Sequence, residues 1–415
     1  MSLFYYDSAY DLNIENQANF DLTGMLGGAG GLFIVAQTAY LSHSFTQGSV
    51  FDGAVTLVMM RIDGVVDTQE GVAIHLGGNY NAITINATGI VSSEGQSVYD
   101  AISFADGTAS GNNIVVNHGL IIGNVVFTGA DNIYDGRGGA VQQGQIQLSE
   151  GNDQVWGGDQ SDYVTELNPH TGSATTGTDY VILGGGNDTF VYLDGDDVVD
   201  GGSGIDFFIA SSTFASLIID LAEGTGESGL GNLITLIDVE NVSGSQADDL
   251  ITGSGGRNIL TGGTGNDVLA GAAGLDFLFG EQGKDTLDGG LGSDRISGGQ
   301  GKDLLTGGAG RDWFFFDDGD TSANAANADI IADYVQGTDH INLRALDANV
   351  STLFQDDDFA ITAASAFIAN DPGRIRFVTT ATQTQILINN DDDAATDAMI
   401  ILNGVFTLTG ADFVL

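Results

Sequence analysis

The chain has 415 residues, 56 Asp and Glu against 10 Lys and Arg, a formal charge of -46, 63 glycines and no cysteine. So few basic residues exclude phosphate-directed binding of nucleic acid or anionic lipid and leave metal cations as the expected counterions. Disulfides are impossible, a hydrophobic content of 42% excludes wholesale disorder, and glycine without a Gly-X-Y period excludes collagen.

The opening MSLFYYDSAYDLNIENQANFDLTG lacks a basic segment, the first basic residue being Arg61, so it is not read as a secretory signal peptide. The protein either stays in the cytoplasm or leaves by a route that reads another address. No apolar run is long enough to span a bilayer, and membrane insertion is not expected. Met25–Leu41 fits a short helix or a buried strand. Residues 1–135 read as a β-rich N-terminal domain, with alternating runs such as AITINATGIV and NNIVVNHGLIIGNVVF. Asn86 and Gly89 in one run answer Asn117 and Gly119 in the other. A spacing near thirty suits the rungs of a wide parallel β-helix.

A nine-residue period then takes over, and residues 136–316 read as repeat blocks interrupted by an insertion at 210–243. A short block carries Asp153 and Asp162, with Val155 and Val164 two places later. The next carries Asp179, Asp188, Asp197 and Asp206, followed by Val181, Phe190, Val199 and Phe208. The intervening segment holds two strand-like runs, Leu217–Leu221 and Leu233–Val239, and reads as a hairpin-like insertion. From Asp249 the phase resumes through Asn258, Asp267, Asp276, Asp285, Asp294, Asp303 and Asp312, each with an apolar residue two places on. In such a unit the glycines allow a tight turn, and the last three residues form a short strand whose middle side chain points inward. One unit buries nothing alone; two make a coil, and stacked coils make a parallel β-roll. The stacked partner of each acid is then 18 residues away.

This pattern points to calcium. A hard cation takes six to eight oxygens, and a glycine-rich turn with an Asp offers backbone carbonyls plus a carboxylate, half a shell that a stacked turn completes. Two ion rows are expected, along Asp267, Asp285 and Asp303 and along Asp276, Asp294 and Asp312. Carboxylates about 5 Å apart repel by roughly 3 kcal/mol at an effective dielectric near 20. A column of them would exceed the ~5–15 kcal/mol stability of an ordinary domain. Calcium about tenfold above Kd returns roughly 1.4 kcal/mol per site. Folding is therefore expected to wait for calcium.

Residues 317–415 read as a C-terminal β cap, with strands in RIRFVTT, TQILIN and AMIILNGV and the ending ADFVL. The units match GGxGxDxUx, and the chain from about Gly253 resembles the C-terminal module of serralysin-like proteases and related RTX proteins. DWFFFDDGD and ADIIADYVQGTDHINL resemble that module's exit from the roll, and ADFVL resembles the uncleaved signal of type I secretion. The resemblance implies multiple calcium ions, folding after export through the type I machinery, and an extracellular or cell-surface address. It implies no activity, because the module accompanies many partners.

No catalytic constellation is visible. His43, His75, His118, His170 and His340 form no HExxH, and no GxSxG occurs. Gly283-Lys284 and Gly301-Lys302 lack the P-loop glycine, Leu278 and Ile296 standing in its place. Asn168-Pro169-His170 is similar to the Asp-Pro-His of RTX-bearing mannuronan C5-epimerases, without the Asp. The expectation is an all-β calcium-binding protein with a structural, self-assembling role as surface layer, filament, matrix or adhesin. Its partners would be further copies or a cell-surface polysaccharide. The alternative is a polysaccharide-active enzyme, a uronan epimerase or lyase.

Overall fold

The computed structural model describes the backbone of residues 2–6, 12–13, 20–21, 31–35, 40–43 and 51–54. It further describes residues 58–68, 72–77, 81–93, 100–104, 112–128, 131–148, 150–166, 177–346, 360–362, 373–390 and 395–414. Apart from one 3-10 turn at Gly410–Asp412, the regular elements among them are strands. Residues 25–30 and 36–39 lie outside the described set; between them Gly31–Val35 is a strand. The chain forms two compact units, one of residues Met1–Ile209 and Asn232–Val239, the other of Ala210–Gly231 and Glu240–Leu415.

The first unit is a parallel β-helix. One face runs Ser2–Tyr6, Gly31–Val35, Val58–Ile62, Ala82–Ile85, Ile114–Asn117 and Ile133–Asp135, each parallel to the next. It continues through Gln154–Trp156, Tyr180–Ile182, Val198–Asp200 and Leu233–Ile237. A second face includes Val65–Thr68, Ile90–Ser93, Leu120–Ile122 and Ala140–Gln142. A third runs from Phe20–Asp21 to Phe207–Ile209. The two Asn-Gly runs do stack as rungs: Ile85 stands beside Asn117 and Ile90 beside Leu120.

The coil varies in length along the chain before settling at 18 residues. Column residues on the first face stack 32, 19, 21, 26 and finally 18 residues apart. The second face ends at Ala140–Gln142, so the wide helix becomes a two-faced roll within the same unit. Short strands explain the core. With side chains alternating, a three-residue strand sends only its middle residue inward. Val155, Val164, Val181, Phe190, Val199 and Phe208 are accordingly 0–1% exposed.

The second unit begins with Leu217–Asp220, antiparallel to Thr225–Ser228 and parallel to Leu250–Thr252. The two runs read in the intervening segment do not pair with each other. Leu217–Asp220 opens this unit, while Leu233–Ile237 closes a face of the first. Coils of 18 residues follow, Leu250, Val268, Thr286 and Leu304 stacking on one face and Ile259, Phe277, Arg295 and Trp313 on the other. Ile251, Leu260, Leu269, Leu278, Leu287, Ile296, Leu305 and Phe314 fill the interior. Past the repeats, Asp329–Ile331 and His340–Asn342 add one more strand to each face. Arg374–Thr379, Gln383–Asn389 and Ala398–Asn403 form an antiparallel meander whose last strand pairs with Asp329–Ile331. Phe413–Val414 pairs with Ile341 and Asn342.

Candidate metal centre

Each repeat aspartate sits just before its short strand and points along the roll. In the second unit the backbone N–H of Asp249 donates to Oδ1 of Asp267 at 2.8 Å, Asp267 to Asp285 at 2.8 Å, Asp285 to Asp303 at 2.8 Å and Asp303 to Asp329 at 2.8 Å. The opposite column runs from Asn258 to Asp276 at 2.8 Å, then to Asp294 at 2.9 Å, Asp312 at 2.9 Å and Asp339 at 3.1 Å. In the first unit Asp153, Asp179 and Asp197 form one such column, and Asp162, Asp188 and Asp206 the other. The carboxylates thus join neighbouring coils through one oxygen each.

The other oxygen is left over. Oδ2 of Asp188, Asp197, Asp267, Asp276, Asp285, Asp294, Asp303, Asp312 and Asp329 is buried without a hydrogen-bond partner. A buried acceptor left unpaired costs about 1–3 kcal/mol, more when charged. From Asp267 to Asp312 each orphan faces the first glycine of its own turn, whereas Leu183, Tyr192 and Asn324 hold that place before Asp188, Asp197 and Asp329. A Cβ built on Gly271 would stand 2.7 Å from Asp276 Oδ2 and 2.7 Å from the carbonyl oxygen of Gly289, one coil on. The glycine therefore keeps open a cradle bounded by a carboxylate and a carbonyl. A hard divalent cation with all-oxygen coordination suits that donor set. When bound, calcium would neutralise and satisfy the orphaned oxygens.

Not every predicted ligand is open. Asn258 accepts the Ser254 N–H at 2.7 Å and donates through Nδ2 to the Glu240 carbonyl at 2.6 Å. Asp249 accepts the Leu217 and Ser245 N–H groups, both at 2.6 Å. Asp162 accepts the Gly158 N–H at 2.9 Å. Asn168, Pro169 and His170 lie outside the described residues.

Burial, more than mutual repulsion, sets the charge behaviour. It is the leading cause raising Asp276, Asp285 and Asp303 to about 6, and Asp188, Asp267 and Asp312 to about 7. Burial likewise raises Asp179 and Asp329 to about 8. Neighbouring carboxylates add to the shift of Asp267 but rank below burial, and the backbone N–H that Asp249 donates offsets part of the rise. Among the described residues the ion pairs are Arg61–Asp63 and Arg137–Asp135, away from the columns.

Sequence reading missed both ends of these columns. Asp329 and Asp339 continue them at spacings of 26 and 27, longer than the 18-residue coil, and the first of these is also out of the nine-residue register. Upstream, Asn81, Asn113 and Asn132 lead into Asp153. The Asn81 N–H and amide both reach Asn113 Oδ1, and those of Asn113 reach Asn132 Oδ1. The legible signal was an acid or amide two places before an inward residue, as in Asn113 with Val115 and Asp329 with Ile331, at any spacing.

The columns and cradles define a calcium-binding parallel β-roll. Residues 145–165, 173–208, 243–278, 261–296 and 288–322 match the RTX calcium-binding nonapeptide repeat. Comparison with curated proteins gives no match. Among solved structures the chain is similar to the R3 subunit of a mannuronan C5-epimerase from Azotobacter vinelandii, at 25% identity over 41% of this chain and 78% of that one, with a TM-score of 0.21. The R2 subunit of the epimerase gives 23% identity over 40% and 91%, with a TM-score of 0.22. An extracellular lipase from Serratia marcescens gives 13% identity over 69% of this chain and 45% of the lipase, with a TM-score of 0.21.

Proposed function

We propose that the protein is an extracellular, calcium-folded structural subunit that associates with further copies at the cell surface. The observation that carries the calcium dependence is the row of buried Oδ2 atoms without partners. Export is assigned to the type I route, with the address in the serralysin-like C-terminal segment ending Ala411-Asp412-Phe413-Val414-Leu415. Association is assigned to one outer face of the second unit. There Ile218, Leu250, Val268 and Leu304, 39–55% exposed, stand in register with Thr286 among them. A flat apolar ladder on an otherwise acidic protein suits a second β surface. With millimolar calcium the purified protein should form sheets or fibres visible by electron microscopy, and EGTA should dissolve them. Replacing Leu250 and Val268 by Lys should abolish assembly and leave the calcium-dependent circular dichroism unchanged. Persistent assembly in the double variant refutes this face as the contact.

A second reading, a polysaccharide-active protein, is favoured by an open groove of about 640 Å³ on the first unit. Thr88, His118, Asp159 and Gln160 line it over Gly119 and Gly139. New unsaturated ends or an altered epimer ratio after incubation with alginate would favour it.

A further inference from the structure

Two stacked turns of the first unit depart from the repeat. Thr165 pairs with Val191 across Tyr163–Thr165 and Thr189–Val191, so Glu166 and Tyr192 open two stacked turns. In the later repeats that place belongs to glycines such as Gly271 and Gly289, where a Cβ would press on the aspartate carboxylate. Glu166 is 0% exposed. Its Oε2 accepts the N–H groups of Leu193 at 2.7 Å and Asp194 at 3.3 Å, while Oε1 has no partner. Asp197, 1% exposed, accepts the Asp179 N–H through Oδ1 and leaves Oδ2 unpartnered. Glu166, Asp179 and Asp197 each offer a carboxylate oxygen, all within 4.8 Å of one another.

We propose that Glu166, Asp179 and Asp197 hold one divalent cation of the calcium type in a three-carboxylate site distinct from the glycine-cradled ones. Two of its oxygens, Glu166 Oε1 and Asp197 Oδ2, are buried with no hydrogen-bond donor, the three carboxylates lie within 4.8 Å of one another, and neither of the ion pairs in the described residues involves this cluster. The two backbone N–H groups on Oε2 hold Glu166 in place before the ion arrives. A repeat turn contributes one carboxylate and glycine carbonyls; this one contributes more charge from buried side chains. It should therefore bind more tightly, exchange more slowly and take a trivalent lanthanide readily.

The test compares the full-length protein with Glu166→Gln, which keeps the shape and can still accept from Leu193 and Asp194. Equilibrium dialysis with calcium should show about one ion fewer per chain in the variant. Terbium in the unmodified protein should show a luminescence component with the same lifetime in light and heavy water, because the buried carboxylates exclude water from the ion. Glu166→Gln should lack it. An unchanged calcium count in a folded variant overturns the proposal and identifies the cluster as carboxyls sharing a proton. Should the variant not fold, the terbium component of the unmodified protein decides, and its absence also overturns the proposal. The inference rests on the calcium reading of the repeats. An unmodified protein that binds no calcium at all brings down that reading, whereas normal binding by Glu166→Gln brings down this one alone.

Discussion

At the scale of the residue, each aspartate from Asp267 to Asp312 divides its labour between two oxygens, one bound to a backbone N–H of the coil before it and one facing the cradle. The glycine opposite matters because of the room it leaves. A Cβ at Gly289 would lie 2.7 Å from Asp294 Oδ2 and 2.8 Å from the Gly307 carbonyl. Gly289→Ala should lower the calcium count by about one and raise the calcium needed for folding, with an overpacking cost of roughly 1–3 kcal/mol. Equilibrium dialysis and a calcium titration followed by circular dichroism would check this. Acidity gives a second prediction. Asp267, Asp276, Asp285, Asp303 and Asp312 titrate at about 6 to 7 in the folded chain, above the ordinary 3.8. The folded state therefore holds more protons than the unfolded one. Their stabilising contribution without metal is complete below about pH 3.8 and is lost as pH rises through 6 to 7. Metal-free protein should keep more strand signal in mild acid than at neutral pH, and calcium should restore it at neutral pH. Loss of structure on mild acidification of metal-free protein would contradict the assignment.

At the scale of the element, stability comes from columns of single inward side chains. Leu287 stacks between Leu269 and Leu305, all buried. Leu287→Ala should cost about 2–5 kcal/mol in the calcium-loaded protein, seen as a lower denaturation midpoint. These columns were legible because the nine-residue period fixes both the turn and the inward residue. The N-terminal helix was legible only as a hint from Asn86, Gly89, Asn117 and Gly119, since its coils vary in length and have no constant period. Glu166 was illegible for a related reason. It takes a glycine's place just before residues 167–176, where the nine-residue phase breaks, so no repeat count singles it out. The ladder partners of Asp303 and Asp312 were hidden likewise, because longer loops before Asp329 and Asp339 lengthen the coil beyond 18 residues while the stacking continues.

At the scale of the whole molecule, a formal charge of -46 is partly a surface property, but the columns internalise a share of it. Salt screens exposed charges and reaches buried ones weakly. Raising sodium chloride should therefore replace calcium poorly, whereas strontium or a lanthanide should replace it well. Refolding yield by circular dichroism in each salt distinguishes specific ligation from general screening, and equal recovery in sodium chloride would favour screening.

The asparagine ladder that precedes Asp153 has its own consequence. Amides can donate to one another, so those first rungs close without help from solution, whereas the rungs after them wait for an ion. The first unit is thereby made of a part that is always ready and a part that is conditional, joined in one continuous stack. Hydrogen exchange in chelator should show slow amides around Asn113 and fast ones around Asp188. The instruction for when to finish such a chain would then lie in the calcium content of its surroundings.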